Sequence, residues 1–283
     1  MTLPPVYFNH LYLVLKDSTY RAILGSDFLR TAFSGMERRT TYTTTGEWWS
    51  GAYYYGDHNY LEIFGAAAGH WIGGAQEGWA GLAFSVDEPG GAEAVRQAVQ
   101  AELGYQPGFR LRQLQVSDQA VNWFYLTQLA EQLGLNSFDS WVMEYHPDIF
   151  DYKGIPHIPG EALTRQAYLS PWSSAPRSDR SQLVFSHITE VTLRMAPESA
   201  NTFARVLNLL GYTQTSEDGV LVLAAHGTRL RFIPEEPVGK HYRVQSLRLA
   251  MLRPSVKPMT FMFAPGSRLV LGEDDQAEWF FGE

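Results

Sequence analysis

The strand-like segment YFNHLYLVL, residues 7–15, carries different side chains on its two faces. Side chains of a strand alternate between the two sides of a sheet, so its three leucines share one face while His10 and Tyr12 share the other. One face is therefore aliphatic, and the other is aromatic with an imidazole in its middle. This pattern predicts that the leucines lie under helices and that His10 looks into the concave side of a sheet.

The same order of elements recurs along the chain. Residues 6–65 are predicted to form a strand, a helix and three strands, and residues 79–147 repeat this order. The helices are indicated by apolar residues at helical spacing, and the strands by β-branched and aromatic runs. A third β-α-β-β-β unit follows, and the remaining tail has four strands without an obvious helix. Self-similarity of this kind is typical of a repeated architecture.

These units predict an α+β fold of two tandem domains, each built from paired β-α-β-β-β units, with the last unit degenerate. The first domain is predicted over residues 1–150 and the second, degenerate one over residues 183–283. Residues 151–182 are rich in Pro and Ser and are predicted to be a linker or an arm over the surface.

Composition narrows the class of protein. The formal net charge is −8 and the basic residues are scattered, which argues against nucleic acid as a partner. The absence of cysteine excludes disulfides and zinc–thiolate sites. No apolar run approaches about 18 residues and no signal peptide is visible, so we expect no membrane association and a cytoplasmic location.

Polar residues at matching places in the repeat give a candidate site. Strand 1 of the first unit has His10 in FNHLYLVL, strand 4 has Glu62 in YLEIFG, and strand 4 of the second unit has Glu144 in VMEYHP. Paired units of this kind resemble the vicinal oxygen chelate superfamily, which contains glyoxalases, bleomycin-resistance proteins and dioxygenases. The segments SDFLRTAF, ERRTT and FDSWVMEYHPDIF are also similar to an uncharacterised bacterial family of glyoxalase-like proteins.

The resemblance implies a cupped sheet that holds a metal or a ligand, with His10, Glu62 and Glu144 as metal ligands. Gly81 stands where the fourth ligand is expected, and His146 is a candidate replacement because it shares a strand face with Glu144. Imidazole and carboxylate without thiolate suit Mn²⁺, Fe²⁺, Co²⁺, Ni²⁺ or Zn²⁺. Glutamate is rarely buried without a partner, so two glutamates in apolar strands favour a shared cation.

The predicted function is a metal-dependent enzyme that acts on a small carbonyl or oxygenated substrate. A lyase or isomerase would use the metal to polarise a carbonyl, with Glu144 or His146 as the base. An Fe²⁺ dioxygenase is a further option. The alternative is a non-catalytic protein that binds or sequesters a small molecule, as bleomycin-resistance proteins do, and the missing ligand at Gly81 favours it.

The cup is expected to have an aromatic lining that stacks on the ligand. The residues predicted to line it are Tyr12, Trp48, Tyr53, Tyr55, Trp123 and Tyr125. Arg112 either clamps a carboxylate or phosphate there or faces solvent.

The second domain is expected to be structural. Glu190 and Arg231 occupy the positions of His10 and Glu62 and would form an ion pair in place of a metal site. The second domain would then serve as a dimerisation or lid element, and a homodimer stays open as an option.

Overall fold

The structure is a computed structural model, and it describes residues 3–70, 76–129, 137–173, 183–234, 243–255, 257–263 and 266–282. Within these ranges it contains two eight-stranded sheets and five α-helices. The first sheet comprises β1 (Tyr7–Leu15), β2 (Gly35–Tyr42), β3 (Trp48–Tyr55), β4 (Tyr60–His70), β5 (Ala80–Ser85), β6 (Phe109–Val116), β7 (Gln119–Gln128) and β8 (Phe138–Tyr145).

The second sheet comprises β9 (Phe185–Met195), β10 (Thr213–Glu217), β11 (Val220–Ala225), β12 (Thr228–Pro234), β13 (Val244–Met251), β14 (Met259–Met262), β15 (Ser267–Leu271) and β16 (Gln276–Phe281). The helices are α1 (Asp17–Leu24), α2 (Gly91–Leu103), α3 (Pro147–Lys153), α4 (Arg165–Ser173) and α5 (Pro197–Leu209), and a π-helical turn spans Leu29–Phe33.

Each sheet is made of two units that meet at their first strands. The strand order is β2-β3-β4-β1-β5-β8-β7-β6 in the first sheet and β10-β11-β12-β9-β13-β16-β15-β14 in the second. The predicted α+β fold of two tandem domains with paired units is therefore confirmed. The exact domain boundaries stay a prediction, and residues 174–182 of the predicted arm lie outside the described residues.

The fourth unit differs from the other three in strand direction. In the first three units, strand 1 pairs with strand 4 in parallel, as β1 does with β4. In the fourth unit β13 pairs with β16 antiparallel. Parallel neighbours need a crossover, usually a helix, whereas an antiparallel arrangement does not. The described residues contain no helix between β13 and β14, and this agrees with the antiparallel pairing of β13 and β16, which needs no crossover.

The helix-facing sides of both sheets share one apolar core. Leu11, Leu13 and Leu15 are almost fully buried in it, as their position on β1 predicts. The two halves interlock through aromatic rings, because Phe33 stacks on Phe185 with ring centroids 5.0 Å apart and meets Trp279 edge-on at 5.8 Å.

Part of the predicted arm is helical and covers the concave side of the first sheet. Helix α3 has proline at its first position and ends before Gly154, whose φ of 65° suits glycine after a helix. From α4, Tyr168 stacks on Tyr145 of β8 with ring centroids 4.3 Å apart. Phe150 of α3 packs on the same two rings. The arm therefore roofs the cup.

The two edges of the first sheet touch and close it further. Thr43, just after β2, forms a bridge with Leu114 of β6. The Arg112 guanidinium lies 2.5 Å from the Glu47 carboxylate across the same gap, and both side chains are mostly buried. The contact covers strand edges that would otherwise be exposed, and it closes the cup on this side.

Candidate ligand site

A cavity of about 770 Å³ occupies the concave side of the first sheet. Its size lies within the range of small-molecule sites, and its walls are mostly apolar and aromatic. The aromatic walls include Tyr12, Trp49, Tyr60, Trp123, Trp141 and Tyr145.

His10 and Glu62 face each other in the wall of this cavity. The Nε2 atom of His10 lies 3.8 Å from Oε1 of Glu62, and the two side chains are only 7% and 11% exposed. Strands β1 and β4 are parallel neighbours, so inward residues of the two strands come side by side. The His10 ring also stacks on Tyr60, with centroids 4.5 Å apart. The structure thus brings together two of the four predicted ligands.

Asn9 fixes the orientation of the His10 ring. A register shift between Phe8 and His10 lets Asn9 reach the ring, and its Oδ1 lies 2.8 Å from His10 Nδ1. Burial, reinforced by the charge of Arg39, lowers the pKa of His10 to about 3. The ring is therefore neutral, and because Nδ1 donates to the amide oxygen, Nε2 is the acceptor that faces Glu62.

The pKa of Glu62 is shifted in the opposite direction from that of His10. Burial raises its pKa to about 7, although Arg39 and a hydrogen bond from Tyr60 both act to lower it. The carboxyl group is then close to half protonated at neutral pH. The 3.8 Å separation from His10 is longer than a hydrogen bond, so both groups present a polar atom to the cavity.

Glu144 and His146 are not brought to this pair. The Glu144 carboxylate accepts hydrogen bonds from the backbone N–H of Gly90 at 2.8 Å and of Ala92 at 3.0 Å, where α2 begins. His146 caps α3, and its Nδ1 accepts from the N–H of Asp148 at 3.2 Å. The predicted set of four metal ligands is therefore corrected to two side chains in the cavity. Within the described ranges, no group of three or more His, Asp or Glu is placed to hold a metal ion.

The correction has a simple geometric cause. On β8, Trp141, Met143 and Tyr145 line the cavity, so Glu144 points to the helix side. The match of YLEIFG with VMEYHP put Glu144 on the cavity side, although an odd shift in register moves a side chain to the other face.

Gly81 has a clear packing role instead of a ligand role. It is the cross-strand neighbour of Tyr12, and a Cβ atom at Gly81 would lie 2.2 Å from Tyr12 Cε1. The glycine lets the Tyr12 ring lie across β5. A ligating side chain at this position is therefore incompatible with the observed Tyr12.

Three of the predicted lining residues reach the cavity, namely Tyr12, Arg112 and Trp123. Tyr53 and Tyr55 do not line it, because they are buried against β2 and β4. The Nε1 of Trp49 donates to the Tyr53 hydroxyl at 3.0 Å, and the Tyr55 hydroxyl donates to Glu37 at 2.9 Å.

The other two predicted residues lie elsewhere. Trp48 begins β3 at its edge and is 37% exposed. Tyr125 packs on the helix-facing core and stacks on Phe109. The cause is a bulge in β7, where Arg112 pairs with Phe124 but Gln113 pairs with Asn122. Trp123 is the extra residue, so the bulge breaks the strict alternation on which the prediction rested.

Several residues of the site have no signal in the sequence pattern. Asp139 lies on the cavity side of β8, where its carboxylate accepts from Gln128 and from the N–H of Ser140. Tyr168 reaches the cavity from α4, inside a segment expected to be a linker. Asn9 had one usable signal, because a second polar residue next to His10 interrupts an otherwise apolar strand.

The second sheet carries the predicted ion pair. Arg231 Nε lies 3.8 Å from Glu190 Oε1, and Arg229 Nε lies 3.0 Å from Glu190 Oε2. Glu190 is buried, which is consistent with its having cationic neighbours.

The fold and the cavity define a protein of tandem, paired β-α-β-β-β units with a ligand-sized chamber in its first half. The chain belongs to the family of unknown function DUF5829, whose model matches residues 8–281. Among curated proteins none matches the chain significantly. No helix within the described residues is long and apolar enough to cross a membrane.

The structure is similar to a hypothetical protein from Staphylococcus aureus at 13% identity and a TM-score of 0.52, covering 91% of this chain and 95% of that chain. This likeness supports the fold. A variant of 4-hydroxymandelate synthase from Streptomyces coelicolor aligns at 15% identity and a TM-score of 0.46, over 90% of this chain and 73% of that chain. A fusion protein of a xylose isomerase-like TIM barrel and 4-hydroxyphenylpyruvate dioxygenase aligns at 11% identity and a TM-score of 0.42, over 83% and 33%.

Proposed function

We propose that the protein binds a small, flat organic molecule with a carbonyl or hydroxyl oxygen in the cavity of the first sheet. The observation that carries this proposal is the buried pair of His10 and Glu62 in the wall of an aromatic chamber of about 770 Å³. Aromatic walls stack on a flat ring, and a few polar atoms fix its orientation.

The two polar groups complement each other as recognition elements. Neutral His10 offers an acceptor at Nε2, which suits a ligand hydroxyl. Glu62 offers a donor when it is protonated, which suits a carbonyl oxygen. A carboxyl whose pKa is about 7 is also able to take or give a proton near neutral pH. Binding followed by proton transfer at Glu62 is therefore the chemistry that this chain's own residues supply.

The test is a titration of the purified full chain with phenol, catechol and benzaldehyde, followed through tryptophan fluorescence, because Trp49, Trp79, Trp123 and Trp141 line the cavity. We expect saturable binding of at least one probe, weakened roughly tenfold or more in Glu62→Leu and in His10→Phe, since each replacement removes the polar atoms of that side chain. Glu102→Leu, on the exposed side of α2, is the matched control. Absence of saturable binding, or equal affinity in all variants, would contradict the proposal.

A metal-dependent enzyme is the second candidate, and the Asn9–His10 contact favours it. Metal-binding histidines usually donate their second ring N–H to an oxygen acceptor, as His10 does to Asn9. Catalytic sites of this kind usually have three protein ligands, however, and the described residues supply two. The residues present therefore do not make up a complete metal site, and no reaction step is assigned to a metal.

Elemental mass spectrometry of the purified chain beside a His10→Ala, Glu62→Ala double variant decides this second candidate. About one transition metal per chain that is lost in the double variant would support it. The same low metal content in both proteins, after incubation with Fe²⁺, Mn²⁺, Ni²⁺ and Zn²⁺, would exclude it.

A further inference from the structure

A second cavity of about 610 Å³ lies beyond the contact between Thr43 and Leu114. Its walls come from Glu37 and residues 39–42 of β2, residues 114–117 around the end of β6, and helix α3. The side chains of Trp123 and Tyr168 line both cavities and so stand between them. The two cavities are therefore neighbours that share these two side chains.

The charges in its walls are unbalanced towards positive. Its ionised residues are Arg39, Lys153 and Glu37, two cations and one carboxylate. The whole chain, in contrast, has a formal net charge of −8. The amino-acid composition of the whole chain therefore does not account for the excess of positive charge in this cavity.

Arg39 is held rigidly by its neighbours. Its Nη1 donates to Glu37 at 3.2 Å and its Nε donates to the Thr41 hydroxyl at 3.2 Å. The guanidinium lies 4.1 Å from the centre of the Tyr53 ring, a favourable cation–π distance. These contacts fix the arginine fork in the wall of the second cavity.

Lys153 faces the same space from the last position of α3. Its ammonium group lies 5.6 Å from the centre of the Tyr168 ring. Burial, together with the positive charge of Arg39, lowers its pKa to about 8, while Glu37 acts to raise it. The positive charges of Arg39 and Lys153 therefore act on each other across the wall of the second cavity.

We propose that the second cavity binds a small oxyanion, a carboxylate or a phosphate, between Arg39 and Lys153. The hydrogen bonds of Nε and Nη1 leave the Nη2 group of Arg39 to donate to such an anion, and the lysine adds a point charge. The tyrosine and threonine hydroxyls of the same wall supply further donors. Arg39 and Lys153 do not line the first cavity, so variants of different side chains test this proposal and the function proposed for the first cavity.

The experiment titrates inorganic phosphate and, separately, benzoate into the full chain at fixed ionic strength by calorimetry. The lysines are few, at positions 16, 153, 240 and 257. Labelling them with ¹³C-methyl groups, which keeps their charge, lets NMR report which lysine responds. We expect saturable binding of one or both anions and a shift of the Lys153 signal.

Three variants test the assignment. We expect Lys153→Met to weaken binding roughly tenfold or more, since it removes one of two cations. Glu37→Gln removes the only carboxylate of the wall while keeping an acceptor for Arg39, so it should tighten binding several-fold. Lys257→Met, at an exposed position outside the cavity, should leave the affinity unchanged.

The outcomes separate clearly. Binding of phosphate alone or of benzoate alone that is weakened in Lys153→Met or tightened in Glu37→Gln would support the proposal and name the anion class. No saturable binding of either anion, or binding that neither Lys153→Met nor Glu37→Gln alters, would overturn it. If Lys153→Met does not fold, Glu37→Gln still decides, because its expected effect is a gain of affinity.

Discussion

Replacing Glu62 by Gln should change how the stability of the protein depends on pH. A buried carboxyl whose pKa is raised from 4.5 to about 7 binds its proton more tightly in the folded state than in the unfolded state. Its contribution is therefore most favourable below pH 4.5 and is lost as the pH rises towards 7. The full difference corresponds to roughly 3 kcal/mol in the free energy of unfolding.

Glutamine has nearly the same shape and never ionises, so the variant escapes this loss. We expect its free energy of unfolding, relative to the unaltered protein, to improve by roughly 2 to 3 kcal/mol between pH 5 and pH 8. His10 works in the opposite direction, because its pKa is lowered to about 3 and its contribution is lost as the pH falls below 6.5. It is present in both proteins, so the comparison isolates Glu62.

Urea unfolding curves of both proteins at the two pH values measure this effect. Glu102→Gln serves as the control, since its exposed side chain should produce no pH-dependent difference. An equal difference between Glu62→Gln and the unaltered protein at pH 5 and pH 8 would refute the reasoning. It would mean that Glu62 is ionised throughout, as expected for a carboxylate paired with a bound cation.

Glu144→Ala should lower the free energy of unfolding by about 1 to 2 kcal/mol, because α2 loses the acceptor at its N-terminus. Urea unfolding should show this loss, and the affinity for the probes should not change. Lost affinity at unchanged stability would contradict the position of Glu144 on the helix side of β8. Gly81→Ala should lower the free energy of unfolding, measured in urea, by about 1 to 3 kcal/mol, since the new methyl group displaces the Tyr12 ring. Unchanged stability together with unchanged probe binding would contradict this packing. Arg112→Met should lower the free energy of unfolding by about 1 to 3 kcal/mol, because it breaks the mostly buried ion pair with Glu47. It should also speed amide hydrogen exchange around Thr43. Unaltered exchange there would show that the two sheet edges stay in contact without this ion pair.

The sequence predicted those parts of the fold that depend on short-range patterns. Alternation placed the leucines of β1 under helices and turned His10 and Tyr12 to the cavity. The repeated order of helix and strand signals predicted two sheets of paired units, because helices and strands differ in their hydrophobic period over only a few residues.

The parts that could not be predicted depend on contacts between distant segments. Which face Glu144 occupies follows from the register of β8, and a shift by an odd number of residues reverses it. The bulge at Trp123 depends on its pairing with β6, which no local pattern shows. The roof over the cavity needs α3 and α4 to dock on an aromatic surface, although their segment has the Pro and Ser content of a linker. Arg39 and Lys153 are far apart in sequence and meet only in the folded chain.

The helix missing from the fourth unit has a consequence for synthesis on the ribosome. The place of that helix is taken by residues of the first unit, since Phe28 stacks on Phe261, and Phe33 and Tyr54 both meet Trp279. A nascent chain that has emerged only to the end of α4 lacks Phe261 and Trp279, so the parts of these three rings that contact them are exposed to water. This aromatic surface of the N-terminal half stays uncovered until β16, which carries Trp279, has been synthesised. Fragments that end before β16 are therefore expected to bind chaperones or aggregate. The two halves are expected to fold as one unit.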